Sequence, residues 1–151
     1  LKIFIGADHR GFKLKSALIS YLTKKSHEVI DVGAYRENPP CDYPLISEKV
    51  SKSVLAHKNS LGILACMTGI GHSIAANKIR GIRAALCYTK KAANFARAHN
   101  DANVLVTGAL FVKPAEIFKI TDAFLKSKFE GGRHARRVNQ IKKIESRFCE
   151  K

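Results

Sequence analysis

Several short segments of this sequence pair proton-moving or anion-binding side chains with glycines or helix starts that would hold them in place. The most informative is Cys66-Met67-Thr68-Gly69-Ile70-Gly71-His72-Ser73. The run from Leu61 to Met67 reads as a buried strand. It ends in a thiol and a hydroxyl, followed by two glycines that open a helix. Glycines let several backbone N–H groups converge on one point, and a helix start adds positive potential there. Such a loop suits a phosphate or a developing oxyanion, and it would lower the pKa of the neighbouring thiol from about 8.5. The same residues also fit a tight strand-to-helix turn around a buried cysteine. The loop lacks the Gly-Lys-Ser/Thr of a P-loop and is not a dinucleotide-binding fingerprint.

Other segments carry compatible chemistry. In Ala7-Asp8-His9-Arg10-Gly11 a carboxylate and an imidazole follow the first strand, where they can handle protons and bind hydroxyls or phosphate. Asp8 also suits the N-cap of the next helix. Asp42-Tyr43-Pro44 offers a phenolic hydrogen bond, or simply a helix-entry turn. In His99-Asn100-Asp101, at the end of a helix, Asn100 fits a C-cap and His99 a structural role. Arg133 and Arg137 lie four apart behind Gly131-Gly132, a fork suited to a phosphate monoester or a solvated basic face.

The elements that must position these residues alternate along the chain. Strand-like runs are expected at Lys2–Ala7, Glu28–Gly33, Leu61–Met67, Ile82–Tyr88 and Asn103–Thr107. Helices are expected at Phe12–Lys25, Pro44–His57, His72–Ile79, Lys90–His99 and Pro114–Phe129, with a last one from Arg133 carrying Val138, Ile141 and Phe148. Five strands separated by helices predict a single α/β domain over residues 1–151. Its form is a three-layer α/β/α sandwich: a five-stranded parallel Rossmann-like sheet with a C-terminal helix. Ligands of such sheets bind outside the carboxyl ends of the strands, which directs attention to Asp8–Gly11, Cys66–Ser73 and the turn after Thr107.

Composition narrows the function. The four cysteines, Cys41, Cys66, Cys87 and Cys149, form no C-x-x-C pair, so free thiols are expected, with neither a metal site nor a disulfide framework. No stretch approaches the roughly 20 apolar residues of a membrane span, and the opening Leu1-Lys2-Ile3-Phe4-Ile5-Gly6 does not read as a signal peptide. A cytoplasmic protein without membrane contact is the resulting expectation. The 27 Lys and Arg against 12 Asp and Glu give a formal net charge of +15, which attracts polyanions in principle. The basic residues are dispersed among helical patterns, with no basic arm, RNA-binding aromatic motif or zinc-finger spacing. No nucleic-acid partner is expected, and the charge would draw in small anions.

Taken together and in order, Asp8-His9-Arg10-Gly11, Asp42-Tyr43-Pro44, Cys66 through Gly71, Ala75-Ala76-Asn77-Lys78, His99-Asn100-Asp101 and Gly131-Gly132-Arg133-His134-Ala135-Arg136-Arg137-Val138 resemble the type B ribose-5-phosphate isomerase family. The wider family includes galactose-6-phosphate and allose-6-phosphate isomerases. The resemblance implies aldose–ketose interconversion of ribose 5-phosphate and ribulose 5-phosphate through an enediolate, without metal or cofactor. It implies Cys66 as the base that moves a proton between C2 and C1. Backbone N–H groups of Gly69, Ile70, Gly71, His72 and Ser73 would stabilise the enediolate oxygen, and Thr68 and Asp8 would move protons between the oxygens. His99 would open the sugar ring, Tyr43 and Asn100 position hydroxyls, and Arg133, Arg137 and His9 hold the phosphate. It further implies a homodimer or homotetramer in which His99 and Asn100 reach a site built mainly by the neighbouring subunit.

Two positions depart from the family pattern. Met67 stands where Gly usually separates the Cys from the Thr, so this position must avoid positive φ or accept strain; its side chain is expected to point away from substrate. Leu110 stands where an Arg is common after the fifth strand, so one phosphate or subunit contact is expected to be missing, with Arg10 or Lys113 as compensating cations. Competing readings are a hexose 6-phosphate isomerase, a basic nucleic-acid-binding protein and a non-catalytic sugar-phosphate sensor.

Overall fold

The computed structural model describes residues 1–148; the free thiol expected at Cys149 lies outside them. Apolar alternation produces a sheet of β1 (Lys2–Ala7), β2 (Glu28–Asp31), β3 (Ser60–Cys66), β4 (Ala84–Leu86) and β5 (Val104–Gly108). The lateral order is β2-β1-β3-β5-β4, and each pairing is parallel. The helices are α1 (Phe12–Lys24), α2 (Tyr43–Ala56), α3 (Ile70–Ala76), α4 (Lys90–Asn100), α5 (Pro114–Lys126) and α6 (Gly132–Phe148).

Side chains on successive strand residues point to opposite faces, and each face has its own core. On one, Ile3, Ile5, Ile63 and Leu105 pack against Leu14, Leu18 and Leu22 of α1, Ala93 and Ala96 of α4, and Ile117, Ile120 and Phe124 of α5. On the other, Phe4, Leu64, Val104 and Val106 meet Ile46, Val50 and Val54 of α2 and Ala76 of α3. This is the expected three-layer sandwich. Connections leave β1 toward β2 on one side while β3 lies on the other, so a topological switch point falls between β1 and β3. Asp8 and Cys66 stand there.

Boundaries shift by a few residues for local reasons. Helix α3 begins at Ile70 rather than His72, because Gly69 turns the chain at φ +86° as its N-cap. Strand β4 is shorter than Ile82–Tyr88. Its Ala84 spends both backbone groups on the Asn77 amide (Ala84 N–H to Oδ1, 2.8 Å; Nδ2 to Ala84 C=O, 2.9 Å). The C-cap of α4 is Asp101 rather than Asn100, at φ +46°, and its carboxylate is held by Arg83 and Arg97 at 2.8 and 2.9 Å. Within α6 only His134 and Val138 are buried, leaving Ile141, Ile144 and Phe148 exposed. Cys41, Cys66 and Cys87 are free thiols, and no described helix is long and apolar enough to cross a membrane.

One cation is buried completely. The Lys15 ammonium donates to both Asp31 carboxylate oxygens at 2.7 Å and to the Ala34 carbonyl. It thereby ties α1 to the segment leaving β2. That segment pairs with the end of β1, Ala7 N–H donating to Gly33 C=O and Ala34 N–H to Ala7 C=O, both at 2.7 Å.

Candidate active site

Cys66 is the last residue of β3 and is 8% exposed. Its thiol donates to Oδ2 of Asp8 at 3.1 Å, while Asp8 Oδ1 accepts the Gly11 N–H at 2.8 Å. Asp8 is not the N-cap of α1: Gly11 takes that position, and the Asp8 carboxylate instead holds the turn ahead of it. A Gly is required at position 11, since a Cβ there would lie 2.1 Å from the Ala65 carbonyl oxygen.

The loop after Cys66 is clamped from the segments that follow β5 and β4. Ala109 N–H donates to Cys66 C=O at 3.0 Å, Leu110 N–H to Met67 C=O at 2.8 Å, and the Tyr88 hydroxyl to Thr68 C=O at 2.7 Å. Gly108 permits this approach; a Cβ there would come within 2.3 Å of the Thr68 carbonyl oxygen. Ile70 N–H donates to Thr68 Oγ1 at 3.3 Å and Ser73 N–H to Gly69 C=O at 3.0 Å. Among the described residues the N–H groups of Gly71 and His72 meet no acceptor, which leaves donors for an oxyanion at the start of α3.

Met67 avoids positive φ, so Met in place of Gly brings no backbone strain there. Its sulfur accepts from the Arg10 guanidinium at 3.0 Å. The two departures from the family pattern therefore converge, because Arg10, one of the cations expected to compensate for Leu110, is held against the loop after Cys66 by Met67. Lys113 caps α5, and the Leu110 side chain is exposed.

Tyr43 opens α2 and lies flat over Gly71, where a Cβ would come within 2.6 Å of its ring. Its ring meets His72 edge-on at 5.8 Å. His9 Nδ1 pairs with the Cys41 carbonyl at 3.3 Å. His72 is fully buried, with Nδ1 2.7 Å from Ser47 Oγ. One of its ring nitrogens, the Cys66 sulfur and an Asp8 oxygen lie within 4.8 Å of one another. The sequence assigns His72 only a backbone N–H and gives Ser47 no role, whereas in the fold the buried His72 ring packs beside Asp8 and Cys66 and contacts Ser47.

The remaining predicted residues gather elsewhere. His99 and Asn100 close α4, ahead of β5, and the Arg83 guanidinium donates to the Asn100 carbonyl at 3.1 Å. The register sets Cys66 opposite Gly108 at the far end of the five-residue β5, so about 15 Å of strand at ~3.3 Å per residue lies between them. The His99 ring stacks between Phe95 at 4.6 Å and His134 at 4.1 Å. Glu130 approaches both imidazoles, 3.7 Å from His99 Nε2 and 3.6 Å from His134 Nε2. Arg133 adjoins His134, its Nε 3.5 Å from the ring nitrogen; both Arg133 and Arg137 are exposed and, among the described residues, make no ion pair. Within one chain the residues form two groups, Asp8, His9, Tyr43, Cys66, Thr68 and the Gly69–Ser73 loop at one end of the sheet, and His99, Asn100, Arg133 and Arg137 at the other.

Electrostatics correct one expectation. The Cys66 thiol is pushed up, not down: burial is the main cause, and the Asp8 carboxylate adds to it, outweighing the N–H groups of Gly69 and Thr68 that favour the thiolate. Burial also lowers His72 to about 4, so its imidazole is neutral near pH 7. His134 is lowered by desolvation and then by the neighbouring His99 and Arg133. Cys87, the bland buried thiol of the set, is raised by burial to about 11.

Comparison with known proteins follows this geometry. Residues 3–141 match the family model described as Ribose/Galactose Isomerase. A Mycoplasma pneumoniae protein named "Probable ribose-5-phosphate isomerase B" is 48% identical over 139 residues, 92% of this chain and 91% of its own. The ribose-5-phosphate isomerase B structure from Clostridium thermocellum superposes with a TM-score of 0.96 at 44% identity, covering 99% of this chain and 100% of that one. The Mycoplasma genitalium enzyme, solved with bound ribulose-5-phosphate, gives a TM-score of 0.87 at 43% identity and covers 96% of each chain. With its sheet order, its Cys66 loop and these matches in agreement, the chain belongs to the ribose/galactose isomerase family.

Proposed function

We propose that this protein interconverts D-ribose 5-phosphate and D-ribulose 5-phosphate, with Cys66 as the base. The observation that carries the mechanism is the Cys66–Asp8 contact at 3.1 Å, in a loop that leaves the N–H groups of Gly71 and His72 without an acceptor among the described residues. Cys66 acts as its thiolate, the form favoured by the N–H groups of Gly69 and Thr68, and takes the C2 proton of the open-chain aldose. The enediolate oxygen settles on the loop N–H groups, each such donor contributing about 3–4 kcal/mol to the transition state. Thr68 and Asp8 pass protons between O1 and O2, and Cys66 returns its proton to C1. His99 opens the furanose, Tyr43 and Asn100 orient hydroxyls, and His9, Arg133 and Arg137 grip the phosphate, whose remote binding energy orients the carbon centre. The family resemblance supports these roles, and the pentose assignment rests on the ribulose-5-phosphate bound by the Mycoplasma genitalium relative.

A homodimer or larger homo-oligomer completes the site. The support is the separation of its two groups by the length of β5, together with the exposed apolar residues Leu45, Ile70, Ile74, Ile141 and Phe148. The same reading places the protein in the cytoplasm, where a free thiol such as Cys66 stays reduced. In D2O, wild-type protein should wash deuterium into the carbon skeleton of ribose 5-phosphate as ribulose 5-phosphate forms. Cys66→Ala should lose both exchange and turnover by about 100-fold or more while keeping the wild-type circular dichroism. Undiminished turnover in Cys66→Ala would overturn the base assignment, and faster turnover of allose 6-phosphate or galactose 6-phosphate would overturn the pentose assignment.

A further inference from the structure

We propose that Asp8, Cys66 and His72 form a binding site for a borderline-soft divalent ion of the Zn2+ type. Each offers one ligand atom: a carboxylate oxygen, a thiol sulfur and an imidazole nitrogen, all from buried residues and all within 4.8 Å of one another. Carboxylate, thiolate and imidazole together are a zinc-type donor set, and three protein ligands with one open position is the arrangement of exchangeable zinc sites.

The tautomer of His72 follows from its neighbours. The Ser47 hydroxyl donates to the Tyr43 carbonyl at 3.0 Å. Its oxygen is then the acceptor for His72 Nδ1–H at 2.7 Å. Assigning the Ser47 proton to the Tyr43 carbonyl puts the His72 proton on Nδ1 and leaves a lone pair on Nε2. That Nε2 is buried and, among the described residues, has no hydrogen-bond partner. A buried acceptor without a partner is costly and calls for an explanation; an ion beside Asp8 and Cys66 supplies one.

The surroundings are those of a supported metal site. The Nδ1–H of a ligating histidine ordinarily bonds to an outer partner that fixes the ring, and ligating carboxylates are themselves hydrogen-bonded. Ser47 does the first, and the Gly11 N–H on Asp8 Oδ1 at 2.8 Å does the second. Bonds of about 2.0–2.3 Å to N, O and S set tetrahedral ligands about 3.3–3.8 Å apart, so the trio needs only small side-chain rotations to close on an ion. Binding breaks the Cys66 S–H bond, releases that proton to solvent and forms an S–Zn bond. Thiolate and carboxylate then balance the 2+ charge, with no change of oxidation state. Because the ion consumes the thiol that turnover requires, binding and isomerisation exclude each other, a consequence that rests on the base assignment above.

Spectroscopy of the reduced, chelator-treated full chain with Co2+ tests the site. One equivalent should produce a thiolate-to-cobalt charge-transfer band, release about one proton, and be displaced by Zn2+. Cys66→Ser should remove the band, and His72→Met should weaken Co2+ binding at least about 10-fold; Ser47→Ala, which leaves all three ligands in place, should weaken it by about 10–100-fold. Absence of the band in the wild type, or unchanged affinity in both His72→Met and Ser47→Ala, would overturn the proposal. Co2+ taken up by the imidazoles of His99 and His134 alone would give no thiolate band and would count against it. Zn2+ that binds Cys66 yet leaves turnover intact would establish the site and tell against Cys66 as base.

Discussion

The groups around Cys66 pull in opposite directions. Two backbone N–H groups favour the thiolate, whereas burial and the Asp8 carboxylate favour the thiol, and the second pair prevails. The pH dependence of Cys66 alkylation should accordingly have its midpoint above the ordinary thiol value of about 8.5. Asp8→Asn removes a negative charge, so it should move that midpoint down. Peptide mass spectrometry after timed iodoacetamide exposure separates Cys66 from the other cysteines, and an unmoved midpoint in the variant would sink this account. The place of Cys66 at a strand end was legible in the sequence. The direction of its shift was not, because loop glycines and a helix start are local features while burial depends on β1 and β5 packing alongside.

His72 makes a second prediction at the same scale. It is neutral in the folded protein and held near 4, below the roughly 6.5 of an exposed imidazole. Between those values the unfolded chain binds the extra proton, so stability is fully present above about pH 6.5 and declines as pH falls toward 4. The loss amounts to about 3 kcal/mol for this fully buried group. Urea titrations of metal-free protein at pH 7 and pH 5 should show about 2 kcal/mol of it, the remainder coming below pH 5, and His72→Met should lose most of that pH dependence. An equally steep decline in the variant would assign the effect to other groups.

Secondary elements hold the site through two contacts that single substitutions can test. Gly108 lets β5 lie against the Cys66 loop, and Gly108→Ala puts a methyl where the Thr68 carbonyl now sits. The loop must retreat, so the variant should lose about 1–3 kcal/mol of stability and a larger share of kcat than of KM. Lys15→Met leaves Asp31 without its cation and the Ala34 carbonyl without its donor. The expected cost is about 3 kcal/mol, read as a drop in urea midpoint; a change under about 0.5 kcal/mol in either variant would refute the corresponding contact. The elements themselves were largely legible, since Leu14, Leu18 and Leu22 mark α1 and Ile117, Ile120 and Phe124 mark α5 by their spacing. Their lateral order was not, nor was the Lys15–Asp31 pair, because both depend on which elements the crossovers bring together. Met67 shows the same limit: its departure from Gly was visible, but its partner Arg10, 57 positions away in sequence, was not.

For the molecule as a whole, the +15 charge should speed capture of a doubly anionic sugar phosphate, so kcat/KM should fall with rising salt while kcat changes little. A stronger test comes from the division of the site between two ends of one sheet. If each working site takes Cys66 from one chain and His99 with Arg137 from another, Cys66→Ala and Arg137→Ala proteins should each be inactive alone. Unfolded together and refolded as an equal mixture, half of the resulting dimers carry both variants. Each of these hybrids holds one site with both defects and one with neither, so about one quarter of wild-type activity should return. Mixing without refolding should restore activity only as fast as subunits exchange. A mixture that stays inactive, although hybrid dimers are seen by native mass spectrometry, would mean that each chain builds its site alone. That outcome would require α4 and α6 to swing His99 and Arg137 across the length of β5 within one chain. The buried anchors Ala96 and Val138 oppose such a movement.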